Sequence, residues 1–177
     1  MAKIPELMGT NADTITQYCR QEADTAALAQ RFATNIRKGL ELNPCYHLNI
    51  ALQGDLGAGK TTFARYLVQS LGYVGKVKSP TYTLCEPYSL QVDTTQYSAH
   101  HFDLYRMRDP LEWQEAGFAE YFDLPGFCLV EWPEKAEGTL PPFDIEIELK
   151  TQENESERSI KINALSEQGL ALLKSIA

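Results

Sequence analysis

Gly54 to Phe63 read GDLGAGKTTF, preceded by the short apolar run LNIALQ and followed by Phe63, Leu67 and Leu71 at four-residue spacing. That spacing puts the three side chains on one face of a helix, while a brief apolar run closed by glycine reads as a buried strand. Strand, glycine turn and helix in this order form the opening unit of an α/β sheet. Gly72 follows the stripe at the position where a left-handed residue ends a helix.

The turn satisfies G-x-x-x-x-G-K-[ST] through Gly54, Gly59, Lys60 and Thr61, with Gly57 inside the loop. With Gly at about 7% of residues, and roughly 6% Lys and 12% Ser plus Thr, such a match arises by chance in about half a percent of chains this long. Chance is weakened further by the match standing between a strand and a helix. Glycines let successive backbone N–H groups converge on phosphate oxygens, and the following helix adds its positive end. Lys60 would reach the β- and γ-phosphates, and the Thr61 hydroxyl would ligate Mg²⁺. A plain glycine-rich turn at a sheet edge is the competing reading.

The rest of the chain fits an α/β frame. Leu28, Phe32, Ile36 and Leu40 predict a helix of about five turns, with Thr14 to Tyr18 a preceding edge strand. TYTLCEPY and AHHFDLY read as strands separated by the polar SLQVDTTQYS, and FCLVEW as a third apolar run. Asp109-Pro110-Leu111-Glu112 carries the acid, proline and later glutamate of a helix start, with Gly117 a possible break. Phe143, Ile145, Ile147 and Leu149 alternate with polar residues, and SIKIN repeats the alternation, so an antiparallel hairpin across TQENESE is expected. TQENESE is the stretch expected to be disordered. A short amphipathic helix follows Ser166.

A phosphate cradle hydrolyses nothing without carboxylates to hold metal and align water. Asp103 in HHFDLYR and Glu131 in CLVEWP stand at the carboxyl ends of apolar runs, where such groups act; solvated strand-end acids are the alternative. Thr81 in KSPTYTL is either a switch-like hydroxyl near the γ-phosphate or part of a turn entering a strand. Trp132 reads as a contact to base or ribose, or as core. His100 and His101 read as strand residues rather than ligands, because adjacent side chains point to opposite faces.

Composition narrows the partners. The 177 residues suit one domain, and 16 Lys plus Arg against 24 Asp plus Glu give a net charge of −8, which opposes direct tight binding to a phosphate backbone. No run approaches the roughly 20 apolar residues that span a bilayer, and the first twenty residues lack the order of a secretory signal, so a cytosolic location is expected. The four cysteines show no metal or redox spacing and read as buried thiols.

Taken in order and at these intervals, GDLGAGKTTF, VKSPTYTL, HFDLYR and CLVEWP resemble the bacterial TsaE family, formerly called YjeE. The similarity runs from the helix after Gln21 through the C-terminal hairpin and leaves residues 1–17 as an extension of a single 1–177 domain. It implies a three-layer P-loop α/β fold with a mostly parallel central sheet and a C-terminal antiparallel hairpin. It also implies a Mg²⁺-dependent ATPase that helps form the threonylcarbamoyl group on N6 of the adenosine beside the anticodon, in tRNAs reading codons that begin with A. The implied partners are TsaB and TsaD, which carry out the transfer, with tRNA met only through that complex and neither DNA nor membrane involved. By motif, Gly57, Ala58, Gly59, Lys60, Thr61 and Thr62 would hold the phosphates of ATP, Thr61 and Glu131 the Mg²⁺, and Asp103 would serve hydrolysis. Thr81 would lie in the switch-like segment, Trp132 near the nucleotide, and Thr25 would add a contact from the N-terminal helix. A small-molecule kinase and a nucleotide-dependent binding module with incidental hydrolysis remain alternatives; a GTPase is disfavoured because no NKxD stretch is present.

Overall fold

The computed structural model describes residues 13–177. The elements are β1 (Thr14–Cys19), α1 (Glu22–Leu42), β2 (His47–Gln53), α2 (Lys60–Ser70), β3 (Cys85–Val92), β4 (Thr95–Asp103), α3 (Glu112–Glu115), β5 (Gly126–Glu131), β6 (Ile145–Thr151), β7 (Arg158–Ala164) and α4 (Glu167–Ile176). Single 3₁₀ turns occupy Ala119–Phe122 and Pro133–Ala136. Of the expected extension over 1–17, residues 1–12 lie outside the described residues, and Thr14 to Gln17 belong to the edge strand β1.

One seven-stranded sheet runs in the order β1-β7-β6-β2-β5-β4-β3. Its centre, β6-β2-β5-β4, is parallel. The outer pairings β1–β7, β7–β6 and β3–β4 are antiparallel. The mostly parallel sheet expected from the sequence is therefore confined to the centre, because the β3–β4 and β6–β7 links are too short for a parallel crossover.

Three layers follow from which side chains each face buries. Leu48, Ile50 and Leu52 of β2, with Phe127 and Leu129 of β5, pack under Leu28, Phe32 and Ile36 of α1 and Phe63 and Leu67 of α2. Phe32 and Phe63 meet edge to face with centroids 5.5 Å apart. On the opposite face Phe102, Cys128 and Val130 meet Trp113 and Phe122 from the segment joining β4 to β5. α4 closes the first layer over β7 through Leu172, Leu173 and Ile176.

Some local expectations change. TYTL is a turn, closed by Leu84 N donating to Pro80 O at 2.9 Å. The polar SLQVDTTQYS is no spacer: its two halves are the paired ends of β3 and β4, with Leu90, Val92 and Tyr97 buried and the intervening positions wet. The helix after Asp109 is a single turn. Glu112 does accept from the Asp109 amide at 2.8 Å, as the capping pattern predicts, and Gly117 at φ 81° ends the segment. Residues 152–157 form a closed turn in which Gln152 N donates to Glu157 O at 3.2 Å, in place of the disordered stretch expected. Cys19, Cys85 and Cys128 are buried, and Cys45 is exposed.

Candidate functional site

The glycine turn leaves β2 at the carboxyl edge of the sheet and leads directly into α2. Gly54 has φ 140°, and a Cβ there would overlap the Leu149 carbonyl oxygen of β6, so the motif's first glycine is demanded by the neighbouring strand. Gly59 adopts φ 104° as the N-cap of α2 and turns the chain so that Lys60 begins the helix.

Lys60 is only 4% exposed. Its ammonium donates to the carbonyls of Gly54 at 2.5 Å and Asp55 at 2.9 Å and lies 4.0 Å from the Trp132 ring centroid. Burial pulls Lys60 below the usual lysine range, opposed by the negative charges of Glu131 and Asp103. Trp132 can reach this position because it takes φ 59°, a left-handed residue between β5 and the Pro133–Ala136 turn. Its ring also packs on Tyr105, with centroids 4.9 Å apart.

The two strand-end acids are register partners: Asp103 of β4 lies beside Glu131 of β5, and both are nearly buried. Paired residues share a face, so both carboxylates point toward the start of α2. Glu131 Oε1 accepts from Thr61 Oγ1 at 2.8 Å. Asp103 Oδ2 accepts from Thr81 Oγ1 at 3.0 Å and from Ser79 Oγ, and its Oδ1 from the Tyr105 amide at 3.0 Å. Ser79 and Thr81 hydroxyls are themselves 2.6 Å apart. Thr81 thus lies in the turn reading, yet touches the acid that the switch reading requires.

These groups line one cleft of about 510 Å³ that holds Lys60, Thr61, Thr81, Asp103, Glu131 and Trp132. Thr25 is not in it. It lines an adjoining space of about 190 Å³ behind the loop, with Ala58, Gly59, Thr62 and Arg158.

Two residues of the site have no role in it that the sequence reading assigned. Arg158, which begins β7, donates from Nε to Ala58 O at 2.9 Å and from Nη2 to Gly57 O at 3.4 Å, while its Nη1 holds Glu155 O and Glu157 O. Nothing local marks it, since the contact spans a hundred residues. His101 sits 2.8 Å from Glu131 Oε1 through Nε2. The alternation rule separates it from His100, which stacks on Tyr121 on the other face with centroids 4.2 Å apart.

Comparison with known proteins gives the family. Residues 19–160 match the family model described as threonylcarbamoyl adenosine biosynthesis protein TsaE. The chain is 41% identical over 133 residues, 75% of it and 80% of the relative, to the tRNA threonylcarbamoyladenosine biosynthesis protein TsaE of Haemophilus influenzae. It is 40% identical over 116 residues, 66% of it and 69% of the relative, to the protein of that name from Bacillus subtilis. The crystal structure of Bacillus subtilis YdiB superposes with a TM-score of 0.70 at 27% identity, covering 92% of this chain and 93% of that one. Fold, ordered motifs and these relatives together place the chain in the TsaE family.

Proposed function

We propose that this protein is a Mg²⁺-dependent ATPase that serves the formation of threonylcarbamoyladenosine in tRNA, acting with TsaB and TsaD to allow turnover of their complex. The observation that carries the reading is the meeting of Thr61 and Glu131 at the head of the glycine loop, with Asp103 beside them and Lys60 buried in the same cleft. The tRNA pathway comes from the names of the relatives, and the partners from the family resemblance.

The residues fit a metal–nucleotide pair. A hydroxyl that donates its hydrogen to a carboxylate keeps a lone pair free for a cation, so Thr61 and Glu131 together offer two hard oxygen ligands. Among the described residues no cluster of three or more His, Cys, Asp or Glu side chains gathers to hold a metal. One carboxylate and a hydroxyl suit Mg²⁺, which takes its other ligands from phosphate and water. Bound there, Mg²⁺ would neutralise charge developing on the phosphate oxygens.

The chain's own groups then divide the work. The amides of Gly57 to Thr62 and the start of α2 cradle the phosphates. Lys60 exchanges its loop carbonyls for phosphate oxygens. Asp103, held by Ser79, Thr81 and the Tyr105 amide, keeps a fixed acceptor for the hydrogen of an attacking water. Trp132 walls the cleft next to Lys60, and Thr25, which lines the adjoining space, would meet the nucleoside there. The acidic balance of the chain keeps its contact with tRNA indirect. Among the described residues no helix is long and apolar enough to cross a membrane; a cytoplasmic site of action belongs to the same proposal.

The test is the rate of ATP hydrolysis with and without TsaB–TsaD. Slow release of phosphate by the isolated chain and strong activation by the complex are expected. A phosphorylated small acceptor would instead establish a kinase. Normal tRNA modification by Asp103→Ala and Glu131→Ala proteins that no longer hydrolyse ATP would make nucleotide binding, rather than hydrolysis, the output.

A further inference from the structure

His101 has no explanation as a packing residue. It is completely buried, and its Nδ1 is the buried side-chain nitrogen or oxygen left without a hydrogen-bond partner among the described residues. A leucine or phenylalanine would fill the space without that desolvated atom. What the imidazole gains is the bond from Nε2 to Glu131 Oε1 at 2.8 Å. A carboxylate oxygen only accepts, so Nε2 carries a hydrogen and donates it to Glu131.

The placement is specific. His101 and Asp103 are two apart on β4 and share the face that looks toward α2, and Glu131 lies beside Asp103 on β5. His101 therefore stands one row deeper in the sheet than the two acids. Glu131 Oε1 receives two donors, Thr61 Oγ1 from the cleft side and His101 from the core side. Among the described residues no other side chain donates to it. Thr61 belongs to a helix start that must adjust to whatever occupies the loop, whereas His101 is fixed by strand pairing.

We propose that His101 is the positioning residue of Glu131: it holds the carboxylate from behind so that Glu131 and Thr61 present their oxygens together to a divalent cation. The inference rests on the reading of this cleft as a Mg²⁺–nucleotide site. Carboxylates and imidazoles that orient a ligand without touching the metal typically account for roughly 10- to 100-fold in metal affinity.

The experiment compares the full-length wild type with His101→Leu and His101→Gln, whose amide N–H restores a donor. Binding of Mn²⁺, followed by electron paramagnetic resonance in the presence of a non-hydrolysable ATP analogue, reads the metal directly. Calorimetry in EDTA reads the analogue alone, and urea unfolding reports the fold. His101→Leu should need roughly 10- to 100-fold more metal at half saturation, with analogue affinity in EDTA unchanged, and His101→Gln should recover most of the loss. Metal affinity within about twofold of wild type in His101→Leu overturns the proposal, as does an equal loss of analogue affinity in EDTA, which would make the residue a general prop. If His101→Leu does not fold, His101→Asn, too short to reach Glu131, takes its place under the same criteria. A wild type whose analogue binding ignores Mn²⁺ and Mg²⁺ refutes the underlying reading of the cleft, a result separable from the others because it needs no variant.

Discussion

His100 should make the fold acid-sensitive by a calculable amount. The ring is 4% exposed on β4 and stacks on Tyr121, with an interplanar angle of 13°. Burial first, and the neighbouring His47 second, push it down from the ordinary 6.5 to about 4. Between those values the unfolded chain binds a proton that the folded chain refuses, so stability present above about pH 6.5 is lost as pH falls toward 4. Integrating the difference in bound protons from pH 7 to pH 5 gives a loss of about 2 kcal/mol from this one residue. His100→Phe keeps a ring against Tyr121 and removes the titration. Urea unfolding of both proteins at pH 7 and pH 5 isolates the effect, since every other group titrates in both. The wild type should lose about 2 kcal/mol more than the variant over that interval. Equal losses would refute the argument, and so would a larger loss in the variant.

Other perturbations test the site. Lys60→Ala should lower ATP turnover at least about 100-fold, as loss of a preorganised charge at a reacting phosphate does, measured by phosphate release. Gly54→Ala should lower the unfolding free energy by about 1–3 kcal/mol, because the new methyl meets the Leu149 carbonyl; the urea midpoint reads this. Arg158→Ala removes charged hydrogen bonds to Ala58 and Gly57 and should cost about 1 kcal/mol of stability, while weakening ATP-analogue affinity about tenfold by calorimetry.

Legibility in the sequence followed the range of the forces involved. α1, the β2–loop–α2 unit, β5 and the last hairpin were readable because periodicity and turn chemistry act within a few residues. The boundaries of β3 and β4 were not: at a sheet edge one face is wet, so Ser89, Gln91 and Gln96 look like loop until their pairing is known. The helix start at Asp109 carried the right cap, but capping fixes where a helix begins and says nothing of its length; the segment is a single turn that the left-handed Gly117 ends. Lys60, Thr61, Asp103, Glu131, Thr81 and Trp132 were chosen from motif and position, and the structure gathers all six. Thr25 stands apart in the space behind the loop. His101 was read as a strand residue, which it is, but its contact with Glu131 and that of Arg158 with the loop were not foreseeable, because each depends on tertiary pairing.

The glycine loop rests on the C-terminal hairpin: the Leu149 carbonyl abuts Gly54, and Arg158 grips the carbonyls of Ala58 and Gly57. Every motif named above is already present in a nascent chain that has emerged only as far as Pro133. The loop's seat arrives later, with the strands that follow residue 144. During synthesis the final shape of the glycine loop must therefore wait for strands that follow the last of its motifs.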